Sequence, residues 1–82
     1  MNGKVYRTRD SNLAAFLLAS QGLLGAPEVK DGVVWWKYPE TVSTYKNRYF
    51  AGATVEAVAY ARAIKQVRLM VREALDRSGV HL

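Results

Sequence analysis

The side chains that most often carry catalysis are scarce in this sequence. It contains no cysteine, and its one histidine, His81, lies next to the C-terminal residue. A thiol nucleophile, a thiolate metal site and a histidine-based triad are therefore not expected. Glu73 and Asp76 would share one side of a helix, but Arg72 and Arg77 flank them, and no other carboxylate is placed to complete a metal or acid–base site. We predict a protein that is not an enzyme and that uses no cofactor and no metal ion.

The residues best suited to binding lie in the strand-like run Val33–Tyr38. Because side chains alternate along a strand, Trp36 would point to one face of a sheet, and Trp35 and Lys37 to the other. A single-layer sheet has one core face, so only one of the two tryptophans fits the core easily. An exposed Trp35 would offer a ring for stacking on a base, with the Lys37 ammonium beside it for a phosphate. The alternative is that a helix or a second subunit covers Trp35.

A second group of candidate binding residues lies in the last helical segment. We call Lys65, Arg68 and Arg72 the basic ridge, because a helical wheel places them together on one flank of the apolar face. The ridge is either a solvated helix side whose long stems cover apolar edges, or a surface that contacts phosphates. Contact with phosphates would require the ridge to join Lys37, Lys46 or Arg48 on one surface. The apolar face is predicted to consist of Ala57, Tyr60, Ala61, Ile64, Val67, Val71, Ala74 and Leu75.

Two apolar residues of the same segment fall outside its apolar face. Val58 and Leu69 lie on the wheel beside Arg62, where they could form a small exposed apolar patch. Singly exposed apolar residues are ordinary, but two in line on a helix also suit a partner surface. Together with Trp35, these residues predict an alternative surface for a protein partner or for a second copy of the chain.

The first half of the chain indicates a strand, a buried helix and a β-hairpin. Asp10 and Ser11 can cap an apolar helix, and Gly22 can adopt the left-handed conformation that ends it. This helix is almost wholly apolar, so we expect it to be buried on more than one side. Asp31-Gly32 is a strong signal for a two-residue turn. The predicted segments are an edge-like strand at Lys4–Thr8, the helix at Leu13–Ala19, and hairpin arms at Leu23–Val29 and Val33–Tyr38.

The second half of the chain indicates two helices. Pro39 ends the second hairpin arm, because proline lacks the N–H that a strand ladder needs. Thr41 can cap a short helix, and Gly52 can close it. Thr54 can then cap a long helix. The short helix is predicted to end near Phe50, and the long helix to run from Val55 to about Arg77.

These elements predict the fold class and the organisation of the chain. With 82 residues, the sequence can build one core, and we interpret residues 1–82 as a single domain. The order of strand, helix, β-hairpin, short helix and long C-terminal helix is typical of an α+β protein with a small single-layer sheet. No segment approaches the roughly 20 apolar residues of a membrane span. Since the chain needs no disulfide, we predict a cytoplasmic protein that does not contact a membrane.

A pattern of mostly core residues connects distant parts of the sequence: Tyr6, Thr8, Leu13–Ala19, Gly22, Ala57, Tyr60, Ala61, Ile64 and Lys65. This pattern, which covers residues 4 to about 75, resembles a small family from bacteria, archaea and phages that is known as a domain of unknown function. The Trp35-Trp36 pair and the basic late helix depart from the family. The resemblance implies a fold more than an activity. It also implies a phage or mobile-element setting, where small proteins commonly bind nucleic acid or inhibit a larger host machine.

The charge of the chain favours a polyanionic partner. Twelve Lys and Arg residues against seven Asp and Glu give a net charge of +5, and excess positive charge attracts nucleic acid. We therefore predict a small nucleic-acid-binding module that uses Trp35, Lys37 and the basic ridge to hold DNA or RNA. The alternative is a protein-binding, inhibitory or structural module, and possible homodimer, that acts through Trp35, Val58, Arg62 and Leu69.

Overall fold

The computed structural model describes residues 4–79, which form two layers. One layer is a three-stranded antiparallel sheet with strand order β1-β3-β2, and the helices pack on one of its faces. This confirms the predicted α+β class and the small single-layer sheet. His81 lies outside the described residues. The elements are β1 (Val5–Thr8), α1 (Ser11–Gln21), β2 (Ala26–Lys30), β3 (Val33–Pro39), a 3₁₀ turn (Glu40–Val42), α2 (Ser43–Phe50) and α3 (Ala57–Arg77).

Helix α1 forms because its two ends are capped and its side chains are apolar. The Asp10 carboxylate accepts hydrogen bonds from the backbone N–H groups of Asn12 at 2.9 Å and Leu13 at 3.1 Å, which satisfies free donors of the first turn. Gly22 ends the helix with a φ of 66°. All residues from Leu13 to Leu17 are buried, because α1 contacts α2 and α3 and faces the sheet through the shared core. The expectation of burial on several sides is confirmed.

The β-hairpin turns where the sequence predicted. Asp31 and Gly32 both have positive φ, at 53° and 76°, and Lys30 pairs with Val33 across the turn. The first arm is shorter than predicted and begins at Ala26. Gly25 precedes it in close contact with β3, where an added Cβ would lie 2.7 Å from Cζ of Tyr38. The Gly25 backbone lies against the Tyr38 ring, and β2 begins at the next residue, Ala26.

The starts of α2 and α3 differ from the predictions. Thr41 caps no helix, because it lies inside the 3₁₀ turn that places Val42 in the core. Thr54 does not cap α3 either. The cap is Glu56, whose carboxylate accepts hydrogen bonds from the N–H groups of Val58 and Ala59. The N-cap is the residue immediately before the first helical one, and because α3 begins at Ala57, Glu56 holds that position and Thr54 does not.

The core stripe of α3 is rotated slightly from the predicted one. Ala57 and Ala61 are exposed, whereas Ala63 is buried and Met70 is partly buried against the core. The stripe is centred on Val67, so residues three, four or seven positions before or after Val67 lie on the same face of the helix. Ala57 and Ala61 lie at the margin of that arc. The buried residues of the whole core are Leu13, Ala14, Ala15, Phe16, Leu17, Val34, Trp36, Tyr38, Val42, Ala63, Val67, Ala74 and Leu75.

Candidate nucleic-acid interface

The sheet has one face that no helix covers within residues 4–79. Along β3, buried and partly exposed residues alternate, so Trp36 lies under the helices and Trp35 lies on the other side, as the alternation predicted. A shallow depression of about 790 Å³ lies over this second side, and all its lining residues belong to strands and their adjoining turns. We call this side the open face. Its side chains include Arg7, Arg9, Glu28, Lys30, Val33, Trp35 and Lys37.

The strand register places Trp35 at the centre of the open face. Glu28 lies directly opposite it on β2, and directly paired residues of neighbouring antiparallel strands point to the same side of a sheet. On the other side of β3, Arg7 pairs with Lys37. Arg9 follows the end of β1 and lines the same depression as Trp35. The ring is therefore bordered by charged side chains from both neighbouring strands.

One carboxylate holds two of these cations beside the ring. Glu28 Oε1 lies 3.6 Å from Arg7 Nε, and Glu28 Oε2 lies 3.7 Å from Lys37 Nζ. These are long, solvated ion pairs, which contribute little to stability. Arg9 and Lys30 form no ion pair within the described part of the chain. The open face thus carries more positive than negative charge, and two of its four cations, Arg9 and Lys30, are not held by Glu28.

The basic ridge lies in the other layer of the molecule. Lys65, Arg68 and Arg72 are all exposed, but α3 packs on the face of β2 and β3 that carries Trp36. The structure therefore does not bring the ridge together with Trp35 and Lys37. It places them on opposite sides of the sheet.

The cations of α2 join neither group, because each contacts a tyrosine on the helix side. Lys46 Nζ lies 4.4 Å from the centroid of the Tyr6 ring, and the Arg48 guanidinium lies 5.6 Å from that of Tyr45. Each of these two cations is therefore attracted to a nearby tyrosine ring. The ridge therefore gains no additional cations from α2.

The predicted apolar patch on α3 is exposed but not continuous. Val58 is 55% exposed and Leu69 is 51% exposed, and both lie on the side of the helix opposite the core stripe. At about 1.5 Å of rise per residue, they are roughly 16 Å apart along the axis. Arg62 and Lys65 lie between them, and both are exposed. The two apolar side chains are therefore separate and stand among cations.

The described residues offer little that resembles a catalytic or metal site. Residues 4–79 contain no group of three or more His, Cys, Asp or Glu side chains that could hold a metal ion. Burial raises the pKa of Tyr38 to about 12, and burial together with the nearby Asp10 and Tyr60 raises the pKa of Tyr49. Both phenols therefore stay protonated at neutral pH. None of the helices in the described range is long and apolar enough to cross a membrane.

Sequence reasoning found Trp35 and Lys37 but missed their neighbours. Arg7, Arg9 and Lys30 join them only because β1 and β2 both pair with β3. Alternation within each strand was visible in the sequence. The sequence did not show which side chains of β1 and β2 lie on the same sheet face as Trp35, because that depends on the register in which the strands pair.

Comparisons with known proteins add no assignment. No protein-family model matches the chain, no curated protein is significantly similar to it, and no solved structure matches its fold. The resemblance to a phage-associated family therefore stays a prediction.

Proposed function

We propose that the protein binds single-stranded nucleic acid on the open face of its sheet. The observation that carries the proposal is the Trp35 ring, which lies at the centre of an uncovered sheet face. Cations from both neighbouring strands border it. Trp35 would stack on a base, and Arg7, Arg9, Lys30 and Lys37 would contact the phosphates on either side.

The geometry favours a single strand over a duplex. An aromatic ring can stack only on a base whose face is free, and the bases of a duplex already stack on each other. Base–aromatic stacking contributes about 1–3 kcal/mol per base. Every base has such a face, so one ring can bind strands of different sequence. The module would therefore bind with little sequence preference.

The position of the cations supports the same ligand. Neighbouring strands are about 4.8 Å apart, so arginine and lysine stems from β1 and β2 reach past both sides of the ring on β3. A backbone that crosses the sheet would meet positive charge before and after the stacked base. Contacts of this kind release counterions, and binding should weaken steeply as salt rises.

The first test measures binding of a labelled, unstructured twelve-nucleotide DNA or RNA strand by fluorescence anisotropy across a salt series. Wild-type protein should bind at low salt, and Trp35→Ala should lower affinity about 5- to 150-fold, the equivalent of one lost stack. Trp35→Phe keeps an aromatic ring and should recover much of the affinity. Lys37→Gln should reduce the salt slope by about 0.7, the value for one phosphate contact with a single strand.

A matched control is Arg77→Gln, which removes one exposed cation outside the open face. It should change the affinity less than Lys37→Gln does. The proposal is wrong if wild-type protein binds no strand at low salt, or if Trp35→Ala binds as tightly as wild type while remaining folded.

A further inference from the structure

The outer side of α3 carries an unusual distribution of charge. From Ala57 through Arg72, the helix contains the cations Arg62, Lys65, Arg68 and Arg72 and no acidic residue. All four side chains are exposed. None of them forms an ion pair with another residue in the range 4–79, where the ion pairs are those of Glu28.

This distribution opposes the stability of the helix. Residues three or four apart on a helix are neighbours, so Arg62, Lys65 and Arg68 repel one another along the chain, and Arg68 also repels Arg72. An acidic residue at one of these spacings would relieve the repulsion, as it does on an ordinary solvated helix. Lys65 and Arg68 have no acidic residue at either spacing. The repulsion costs about 0.2–0.5 kcal/mol per pair, and a bound row of phosphates would offset it.

The ridge also lies on the opposite side of the sheet from the open face. The buried stripe of α3 packs on α1 and on β2 and β3, and the ridge lies outside that stripe, on the helix layer. Trp35 lies on the far side of the sheet. A polyanion held by Trp35 would have to pass around an edge of the sheet to contact Lys65.

The ridge does not meet Lys37 or the cations of α2, but the exposed Arg62 adjoins it three residues before Lys65. We infer that the basic ridge is a second phosphate-contact surface, so that one copy of the protein holds two nucleic-acid segments, one on each side. Lys65, Arg68 and Arg72 would bind the second segment through its phosphates alone, because no ring lies beside them for stacking among the exposed residues of α3. Val58 and Leu69 are too far apart to form one apolar patch for a protein partner. The bridging function depends on the proposed function of the open face, whereas phosphate binding by the ridge does not.

The test uses two non-complementary thymidine oligonucleotides, one with a donor dye and one with an acceptor dye. Wild-type protein should bring them together, so energy transfer should rise as protein is added and fall again when protein is in excess. The double variant Lys65→Gln/Arg68→Gln should lose most of this transfer. Its binding at the open face, measured by quenching of Trp35 fluorescence, should stay within a few-fold of wild type.

The matched control is Arg48→Gln/Arg77→Gln, which removes the same charge from exposed positions outside the ridge. It should keep the energy transfer. In the ridge variant, the salt slope of total binding should fall by about 1.4, the value for two phosphate contacts with a single strand.

Each other outcome overturns a defined part of the inference. If Trp35 is quenched but wild-type protein produces no energy transfer, the open face binds and the ridge does not. If the ridge variant bridges as well as wild type, bridging arises elsewhere, for example through pairing of two copies. If wild-type protein without nucleic acid is a dimer and the ridge variant is a monomer, the ridge is a protein interface. If the ridge variant loses binding but Trp35→Ala does not, the ridge is the nucleic-acid site and the proposed function of the open face is wrong.

Discussion

Trp35 and Trp36 are neighbours in the sequence but lie in opposite environments. Trp36 is 1% exposed and is surrounded by the apolar side chains of the helix layer. Trp35 is partly exposed and is surrounded by arginine, lysine and glutamate side chains. The same residue type therefore belongs to the core on one face of the sheet and is partly exposed on the other, where we propose that it stacks on a base.

The comparison also shows where the molecule gains its stability. The helix face buries residues of α1, β3 and α3 in one cluster, and apolar burial is the main favourable term in folding. On the open face, the ion pairs among the described residues are the two long ones that join Glu28 to Arg7 and Lys37. These pairs add little to stability. Substitutions on the helix face should therefore change the free energy of unfolding, and under the proposed function those on the open face should mainly change binding.

The largest expected effect is that of Trp36→Ala. Removing a fully buried tryptophan should lower the free energy of unfolding by about 3–5 kcal/mol, which is a large part of the stability of a small domain. Trp35→Ala should lower it by less, about 1–2 kcal/mol, because its ring is only partly buried. Urea unfolding followed by circular dichroism measures both changes.

Trp36→Phe keeps the experiment informative if Trp36→Ala does not fold. This variant loses less volume, and it removes the indole N–H, which has no hydrogen-bond partner among the described residues. Its cost should therefore lie between those of the two alanine variants. Equal losses of stability for Trp35→Ala and Trp36→Ala would mean that the open face is covered in solution.

The parts of this comparison that sequence predicted are the local ones. Alternation along Val33–Tyr38 separated the tryptophans, and Asp31-Gly32 fixed the turn, because both depend on neighbouring residues. The cations around Trp35 come from β1 and β2 and depend on pairing over long range. The separation of the ridge from Lys37 depends in the same way on which face of the sheet α3 covers. Sequence periodicity gives the buried side of each element but not the arrangement of the elements.

The next largest effect concerns alkaline pH and the helix face. Burial raises the pKa of Tyr38 to about 12 from its ordinary value of 10.0, so the phenol ionises more easily in the unfolded chain. The stability associated with this group is fully present below about pH 10 and is lost as pH rises towards 12. The total loss approaches about 3 kcal/mol, the equivalent of roughly two pKa units. Urea unfolding at several pH values in this range measures the decline.

Tyr38→Phe tests the assignment of that decline. The Tyr38 hydroxyl is buried without a hydrogen-bond partner in the described part of the chain, so its removal should leave stability at neutral pH unchanged or raise it by about 1 kcal/mol. The alkaline decline should become much smaller. The part that remains should disappear in a double variant with Tyr49→Phe, because burial also raises the pKa of Tyr49. A decline as steep as in wild type would place the titrating group elsewhere.

The smallest effect on stability, and the sharpest test of the open face, is expected from Glu28→Gln. The carboxylate pairs with Arg7 and Lys37 at 3.6 Å and 3.7 Å, and all three side chains are substantially solvated, so its loss should change the free energy of unfolding by about 0.5 kcal/mol or less. Binding of a single strand should instead strengthen by a few-fold, and its salt dependence should become steeper. The reason is that the variant removes a negative charge that repels phosphates and frees two cations to contact them. Weaker binding by a stably folded Glu28→Gln would show that Glu28 assists the ligand, either by holding Arg7 and Lys37 in place or by accepting a hydrogen bond from the base stacked on Trp35.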